Sequence, residues 1–298
     1  MIRKAVIPVA GLGTRLLPAS KAIPKEMVTV VDRPAIQYVV EEAVEAGIRE
    51  VVLVTHSAKN AVEDHFDVNY ELEAELEKKH KHDLLSEIRD IIPPEVRVIS
   101  VRQGKALGLG HAVLCAREVI GDEPFAVLLA DVLVDSPDGD RVELAAMLER
   151  FADSGKAQIM VEPVPREKVH QYGIVELDGA TPEPGASVPM TGIREKPAPE
   201  DAPSRLAVVG RYVLPQRIFP LLAQTPPGAG DEIQLTDAIA SLLAEQGVEA
   251  WHMRGQTHDC GSKLGFLEAT LHYGRLHPEL GEAFREMLDE AARKNQGS

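Results

Sequence analysis

Several features that would assign this chain to a class of protein are missing from its sequence. No apolar stretch approaches the roughly 18 residues of a membrane-spanning helix, so we expect no membrane partner. The N-terminus has no secretory signal pattern, and the 298 residues include only two cysteines, Cys115 and Cys260. Neither cysteine has a second ligand at a metal-binding spacing. We therefore expect small buried thiols in a soluble, cytoplasmic protein.

Positive charge is also scarce. The chain has 47 acidic and 32 basic residues, which give a formal net charge of -15. A general nucleic-acid-binding protein would present a basic face, so we expect no nucleic-acid partner. An anionic substrate would have to be drawn into a local cationic cleft against the field of the whole molecule.

Short apolar runs alternate with helical patterns through the first half of the chain. This rhythm predicts an α/β fold, Rossmann-like, with a mixed, mostly parallel sheet flanked by helices. The helical patterns cover 35–46 and 111–119. Strands are predicted at 5–9, 50–54, 96–101, 125–130, 158–163, 173–176 and 206–213.

The other segments predict additions to one scaffold. Residues 61–90 carry charges of both signs and predict a solvated helical arm. We expect a small appended sheet and a helical C-terminal region from about 262 to 298, within a single domain that covers residues 1–298. Loops rich in Pro, Gly or Asp are predicted at 135–141, 178–191, 197–204 and 225–231.

The most informative motif follows the first apolar run, at Ala10-Gly-Leu-Gly-Thr-Arg15. Gly11 and Gly13 allow a sharp turn that brings backbone amides close to a ligand. Such amides favour an anion, and Arg15 and Lys25 add positive charge beside it. The motif lacks the third glycine of the dinucleotide fingerprint and the Gly-Lys-Ser/Thr ending of a P-loop. The glycines alone therefore leave two readings, a polyphosphate site and a plain strand-to-loop turn.

The full strings Val6-Ile-Pro-Val-Ala-Gly-Leu-Gly-Thr-Arg15 and Lys21-Ala-Ile-Pro-Lys-Glu-Met27 resemble the signature of the sugar-nucleotide pyrophosphorylases. These are nucleotidyltransferases that act on sugar 1-phosphates, and the resemblance runs from Ala5 to about Tyr273. It implies Mg²⁺ as the cofactor and, for strings of this length, UTP and glucose 1-phosphate as substrates. We also expect a homo-oligomer, a dimer or a tetramer.

Two aspartates are candidate metal ligands. Asp131 follows the apolar run 125–130, and in an open α/β sheet ligands bind beyond the carboxyl ends of the strands. From its position alone, Asp131 could equally cap a helix or solvate a loop. Asp259 lies in His258-Asp-Cys-Gly261, and two carboxylates that converged would suit Mg²⁺. The resemblance supplies that link, because both residues match the family's metal-binding aspartates.

A second glycine-rich loop, Gln103-Gly-Lys-Ala-Leu-Gly-Leu-Gly-His111, leads into a helix. The Gln103 amide has the donor and the acceptor that a pyrimidine edge needs, although a flexible turn with a surface Gln has the same pattern. We interpret His111 mainly as a packing or capping residue, and keep it among the substrate-binding candidates. By resemblance, the nucleotide-binding candidates are Ala10, Gly11, Gly13, Thr14, Gln103, Gly108, Gly110 and His111.

A third group, Gly173, Glu195 and Lys196, belongs by resemblance to the sugar side of the site. An isolated Glu-Lys pair is otherwise ordinary surface charge. The resemblance implies that Glu195 binds sugar hydroxyls, that Lys196 binds the phosphate of glucose 1-phosphate, and that Gly173 lets the sugar approach the backbone. Further along, we interpret Thr236 and Asp237 as helix-capping residues.

The implied reaction is an Mg²⁺-assisted in-line attack of glucose 1-phosphate on the α-phosphorus of UTP, which gives UDP-glucose and pyrophosphate. Arg15, Lys25 and Lys196 are the catalytic candidates, the first two on the leaving pyrophosphate. One alternative is thymidylyl transfer to the same sugar phosphate, because uracil and thymine differ by one methyl group. Another is a non-catalytic regulatory paralogue, which should have lost Arg15, Lys25 or Asp131.

Overall fold

The computed structural model describes residues 2–136 and 142–296. Both cysteines are free thiols; Cys260 is buried and Cys115 is half-buried, so burial is complete for only one of them.

The strands are β1 (Lys4–Pro8), β2 (Thr29–Val30), β3 (Arg33–Pro34), β4 (Glu50–Thr55), β5 (Arg97–Arg102), β6 (Phe125–Leu128), β7 (Val132–Asp135), β8 (Ala157–Pro163), β9 (Gly173–Leu177), β10 (Ser187–Glu195), β11 (Leu206–Leu214), β12 (Val248–His252) and β13 (Gln256–Asp259).

The helices of the described ranges surround these strands, and none of them is long and apolar enough to cross a membrane. They are α1 (Ala35–Glu45), α2 (Asn60–His65), α3 (Tyr70–Lys78), α4 (His82–Arg89), α5 (Leu109–Cys115), α6 (Arg117–Ile120), α7 (Glu143–Ser154), α8 (Ile218–Gln224), α9 (Leu235–Gln246), α10 (Lys263–Leu276) and α11 (Gly281–Gln296).

One mixed sheet has the strand order β5-β4-β1-β6-β11-β8-β12-β10-β9. The strands β5, β4, β1 and β6 are parallel neighbours, as are β8 and β12, while β10 and β11 run against the others. Successive side chains of a strand point to opposite faces, so Ala5 and Ile7 enter one apolar core and Val6 the other. The α/β fold with a mixed, mostly parallel sheet flanked by helices is confirmed.

The appended sheet is the antiparallel pair β7 and β13, in which Val132 lies opposite Asp259. Residues 129–131 connect β6 of the main sheet directly to β7. The small sheet therefore begins at the edge where the parallel strands end.

The predicted helical arm at 61–90 is confirmed and consists of three helices, α2 to α4. His80, between α3 and α4, has a positive φ of 56°, which a continuous helix cannot accommodate. Two other sequence predictions need correction. The predicted helix 111–119 is divided at Ala116 into α5 and α6. The predicted loop 178–191 already contains the start of β10, because Ser187 to Pro189 pair with β12. Of the predicted loop 135–141, residues 137–141 lie outside the described residues.

Candidate active site

The first glycine loop folds back against Lys25. Gly13 has a φ of 67°, a conformation that favours glycine, and its carbonyl accepts a hydrogen bond from the Ser20 hydroxyl at 2.6 Å. A Cβ added at Gly13 would lie only 3.0 Å from the Cβ of Lys25. Glycine at this position therefore satisfies both the turn and the close approach of the Lys25 chain.

Two cations and two carboxylates meet beside this loop. The ammonium of Lys25 donates to Oδ2 of Asp131 at 2.5 Å, and a guanidinium nitrogen of Arg15 lies 3.6 Å from the same oxygen. The other terminal nitrogen of Arg15 lies 3.3 Å from Oδ2 of Asp259. Burial of Asp131 acts to raise its pKa, but Lys25 and then Arg15 outweigh burial and hold the pKa below its usual value.

Gly261 leaves open the space that the two carboxylates face. A Cβ at this position would lie 2.6 Å from Oδ2 of Asp131 and 2.9 Å from Oδ1 of Asp259. Burial, followed by the charges of Asp131 and Asp259, raises the pKa of the nearby Cys260 thiol to about 12. In the sequence, Gly261 stands out only as a neighbour of Asp259, whereas in the structure its missing side chain is part of the site.

Within the described residues no group of three or more His, Cys, Asp or Glu side chains is arranged to hold a metal ion. The Asp131 and Asp259 pair could therefore hold one only with help from other oxygen atoms. Carboxylates with additional phosphate or water oxygens are the ligands that Mg²⁺ prefers. The donor chemistry thus fits Mg²⁺ bound together with a phosphorylated substrate.

A cavity of about 450 Å³, here called the glycine-loop cavity, opens beside the first motif. Asp131 lies on one of its walls. Sequence candidates that line it are Ala10, Gly11, Gly13, Thr14, Lys25, Gln103 and Gly108.

Gln103 is buried and held at the wall of the glycine-loop cavity. Its amide nitrogen donates to the Gly108 carbonyl at 3.1 Å and lies 3.0 Å from Nδ1 of His111. His111 and Gly110 do not line this cavity. The Gly110 amide donates to the Ile233 carbonyl at 2.8 Å. Gly110 and His111 therefore stabilise residues of the cavity wall without lining the cavity themselves.

Glu26, which is not among the residues predicted from the sequence to form the site, also lines the glycine-loop cavity. It is buried, and one carboxylate oxygen accepts from the ammonium of Lys59 at 2.6 Å. The other oxygen is buried without a hydrogen-bond partner in the described part of the chain. Burial raises the pKa of Glu26, although the charge of Lys59 opposes the shift.

A second cavity of about 240 Å³, here called the Glu195 cavity, lies on the other side of Asp131. Gly173 of β9 pairs with Glu195 of β10 in the sheet. The ammonium of Lys196 lies 3.4 Å from Oε1 of Glu195. Sequence candidates that line this cavity are Arg15, Asp131, Gly173, Glu195, Lys196 and Asp259.

Thr236 takes part in the Glu195 cavity, and its interpretation as a capping residue is wrong. Helix α9 begins at Leu235, the cap position is Gln234, and no side chain caps this end. The Thr236 hydroxyl instead donates to Oε2 of Glu195 at 3.0 Å. Only the packing of α9 against β10 brings these two residues together, so the sequence carried no signal for the contact.

Asp131 lines both cavities, together with Leu109 and Leu129. The molecule can therefore hold two ligands side by side, with the cluster of Arg15, Lys25, Asp131 and Asp259 at their junction. This arrangement suits a reaction between two phosphorylated molecules.

The nucleotidyl transferase family matches this chain over residues 4–275, so the chain belongs to the nucleotidyl transferase family. It is 58% identical over 291 residues to the UTP–glucose-1-phosphate uridylyltransferase of Escherichia coli K12, which covers 97% of this chain and 96% of that protein. A UTP-bound UGPase from Acinetobacter baumannii is 60% identical with a TM-score of 0.91, over 97% of this chain and 99% of that one. A UDP-glucose pyrophosphorylase complexed with UDP-glucose is 42% identical with a TM-score of 0.82, over 92% and 98% of the two chains.

Proposed function

We propose that this chain transfers the uridylyl group of UTP to glucose 1-phosphate, giving UDP-glucose and pyrophosphate. The meeting of two cavities at Asp131, beside Lys25 and Arg15, carries this proposal. A transfer between two bound substrates needs their reacting groups to be held in contact at one place. The relatives that bind UTP or UDP-glucose support the choice of substrates.

UTP occupies the glycine-loop cavity in this proposal. The backbone of Ala10 to Thr14 approaches the phosphates, while the Gln103 amide recognises the edge of the uracil and Gly108 lies beside it. Arg15 and Lys25 hold the phosphates that leave as pyrophosphate. Gly110 and His111 contribute by fixing the wall and the Gln103 amide rather than by touching the nucleotide.

Glucose 1-phosphate occupies the Glu195 cavity. Glu195 accepts hydrogen bonds from sugar hydroxyls, and the missing side chain of Gly173 lets the sugar approach the backbone. Lys196 binds the phosphate of the sugar. The Thr236 hydroxyl keeps the Glu195 carboxylate in one orientation.

The chemistry requires positioning and charge compensation rather than a protein base. The phosphate monoester loses its second proton near pH 6, so at neutral pH it already presents an ionised oxygen. That oxygen forms a bond to the α-phosphorus as the bond between the α-phosphorus and the α,β-bridging oxygen breaks. The electron pair of the broken bond leaves on that oxygen, as part of pyrophosphate. Lys196 orients the attacking group, while Arg15 and Lys25 stabilise charge on the leaving group.

Asp131 and Asp259 would hold Mg²⁺ in the space that Gly261 leaves open. When bound, Mg²⁺ supplies a Lewis acid that neutralises phosphate charge. The two carboxylates supply the negative charge where Mg²⁺ would lie, beside Arg15 and Lys25. Their backbone attachments in β13 and in the 129–131 connection fix where that charge lies.

Pyrophosphate release over a panel of nucleoside triphosphates and sugar 1-phosphates tests the proposal. We expect turnover with UTP and glucose 1-phosphate, and loss of turnover when EDTA removes divalent cations. A clear preference for dTTP in kcat/KM would replace the uridylyl assignment with a thymidylyl one. No turnover with any pair would contradict the enzyme assignment.

We also propose that the chain is one nucleotidyltransferase domain over residues 1–298 that acts as a cytoplasmic homo-oligomer, a dimer or a tetramer. The continuous sheet from β1 to β12 supports one domain, and the free thiols of Cys115 and Cys260 suit a reducing compartment. Exposed Leu264, Leu267 and Leu271 share one face of α10 and support self-association. Light scattering after size-exclusion chromatography tests the oligomeric state, and a monomer would contradict the proposal. Calorimetry tests whether the chain unfolds as one unit. Fractionation of cells tests the cytoplasmic location.

A further inference from the structure

A buried arginine lies behind the segment that carries Asp131. Arg211 of β11 is fully buried, and its guanidinium pairs with Glu42 of α1. Nε donates to Oε1 of Glu42 at 2.9 Å, and Nη2 donates to Oε2 at 2.7 Å. Arg211 lines neither the glycine-loop cavity nor the Glu195 cavity. Its influence on a reaction must therefore pass through the residues that it holds.

The other N–H groups of this guanidinium hold the backbone on both sides of Asp131. Nη2 donates to the Val132 carbonyl at 2.7 Å, and Nη1 donates to the carbonyls of Leu129 at 3.3 Å and Gly210 at 3.1 Å. Every N–H donor of the side chain thus has an acceptor. The carbonyls of Leu129 and Val132 bracket Asp131, so the guanidinium fixes both ends of the short segment that carries it.

Val132 extends this control to the second carboxylate. It lies directly opposite Asp259 in the β7 and β13 pair. A movement of the Val132 carbonyl would therefore displace the strand that aligns Asp259 as well as the segment that carries Asp131. One buried side chain thus contacts the backbone around Asp131 directly and is linked to Asp259 through the strand pairing of Val132.

We propose that Arg211, oriented by Glu42, is a positioning residue that sets the separation of Asp131 and Asp259. This inference rests on the proposed function, because those carboxylates would hold Mg²⁺. A lysine could not take this role, since its ammonium is a compact charge and lacks the planar fork that reaches Glu42 and the backbone carbonyls together. The Arg211 and Glu42 pair thus acts on metal affinity through geometry.

Arg211→Lys keeps the positive charge and tests the hydrogen bonds from Arg211 to the carbonyls of Leu129 and Val132. Mn²⁺ is titrated into the UTP-bound protein, and the free ion is followed by electron paramagnetic resonance. We expect the Mn²⁺ dissociation constant to rise about tenfold, as is usual when a residue supporting metal ligands is lost. We expect kcat to fall by a similar factor while KM for glucose 1-phosphate is unchanged. Glu42→Gln should shift the Mn²⁺ affinity in the same direction by a smaller factor.

The double variant Arg211→Met with Glu42→Leu separates positioning from stability. Replacing both members of a buried ion pair by apolar residues often preserves stability. A purely structural role predicts wild-type Mn²⁺ affinity when Tm is preserved, whereas a positioning role predicts weakened affinity at that same Tm. Glu143→Gln is the control, because Glu143 is a buried carboxylate that accepts from Trp251 at 2.8 Å and from Arg254 at 3.1 Å instead. It should leave Mn²⁺ affinity unchanged.

Wild-type Mn²⁺ affinity in folded Arg211→Lys or in the folded double variant would overturn the inference. If neither folds, Glu42→Gln decides: unchanged affinity overturns the inference, and weakened affinity with normal Glu143→Gln supports it. A wild-type protein that binds Mn²⁺ in an Arg211-dependent manner but turns over no substrate pair would instead overturn the proposed function.

Discussion

The two cavities that meet at Asp131 are built in different ways. The glycine-loop cavity is formed largely by residues that follow the parallel strands β1 and β5, and many of them lie between Ala10 and Lys25. The Glu195 cavity is assembled from the strands β9, β10 and β11 and the first turn of α9. The first depends on a local motif, and the second depends on the register of segments that are distant in the chain.

This difference has consequences for substitutions. In the glycine-loop cavity and at its junction with the Glu195 cavity, the main determinants are charges and the close approach of backbone. In the Glu195 cavity, a hydrogen bond from Thr236 orients the carboxylate beside Lys196. We therefore expect the largest losses at the junction, and losses confined to one substrate within each cavity.

Asp131→Asn should have the largest effect, because Asp131 lines both cavities and its charge is paired with Lys25 and Arg15. We expect kcat to fall by at least about 100-fold, with the fold preserved. Asp259→Asn should also lower kcat, and this variant should need more Mg²⁺ for half-maximal activity. Steady-state kinetics over a range of Mg²⁺ measure both. Asp178→Asn, at an exposed aspartate, is the control, and unchanged Mg²⁺ dependence in either site variant would remove that residue from the metal site.

Gly261→Ala should come next. The added methyl group would lie 2.6 Å from both Asp131 and Arg15, so these side chains must move apart. We expect kcat to fall by about 10- to 100-fold, whichever substrate concentration is varied. Losses of this size are usual when residues that orient metal ligands are disturbed. Kinetics together with Tm measure the effect. Wild-type kcat would show that the two carboxylates do not need the space beside Gly261.

Lys196→Met, in the Glu195 cavity, and Arg15→Met, at the junction beside Asp131 and Asp259, form a matched pair. Each deletes a cation and keeps most of the apolar stem, and a hydrogen bond to a charged group contributes about 1.5–3 kcal/mol. Lys196→Met should raise KM for glucose 1-phosphate about tenfold and leave KM for UTP nearly unchanged, whereas Arg15→Met should impair use of UTP. Initial rates with one substrate varied at a time decide the assignment. The division into two half-sites fails if Lys196→Met weakens UTP alone or if both variants match the wild type.

Thr236→Val should have the smallest effect, because it removes only the hydroxyl that donates to Glu195. The loss of one such hydrogen bond, about 1 kcal/mol, should raise KM for glucose 1-phosphate about fivefold and leave KM for UTP unchanged. Thr236→Ser keeps the hydroxyl and should retain affinity for the sugar phosphate. Equal KM values for Thr236→Val and the wild type would show that Glu195 needs no such support.

Short-range patterns explain why much of the fold was predictable. The apolar runs at 5–9, 50–54 and 206–213 match β1, β4 and β11 within one residue at each end, because burial on both faces leaves a continuous hydrophobic signal. The strands β10 and β12 were not predicted, since Ser187 to Pro189 become strand only by pairing with β12. The break at His80 likewise depends on one backbone conformation that composition does not reveal.

Local sequence patterns predict the parallel half of the sheet, the glycine turn at Gly13 and the charges that follow it. These features depend on residues close together in the chain, where apolar periodicity and backbone freedom act directly. Folding of the whole chain is needed before Asp131 and Asp259 face one space, Thr236 contacts Glu195 and Arg211 binds the backbone on both sides of Asp131. Each of these contacts joins segments far apart in the chain, and its geometry is set by strand register and helix packing, which no local pattern encodes.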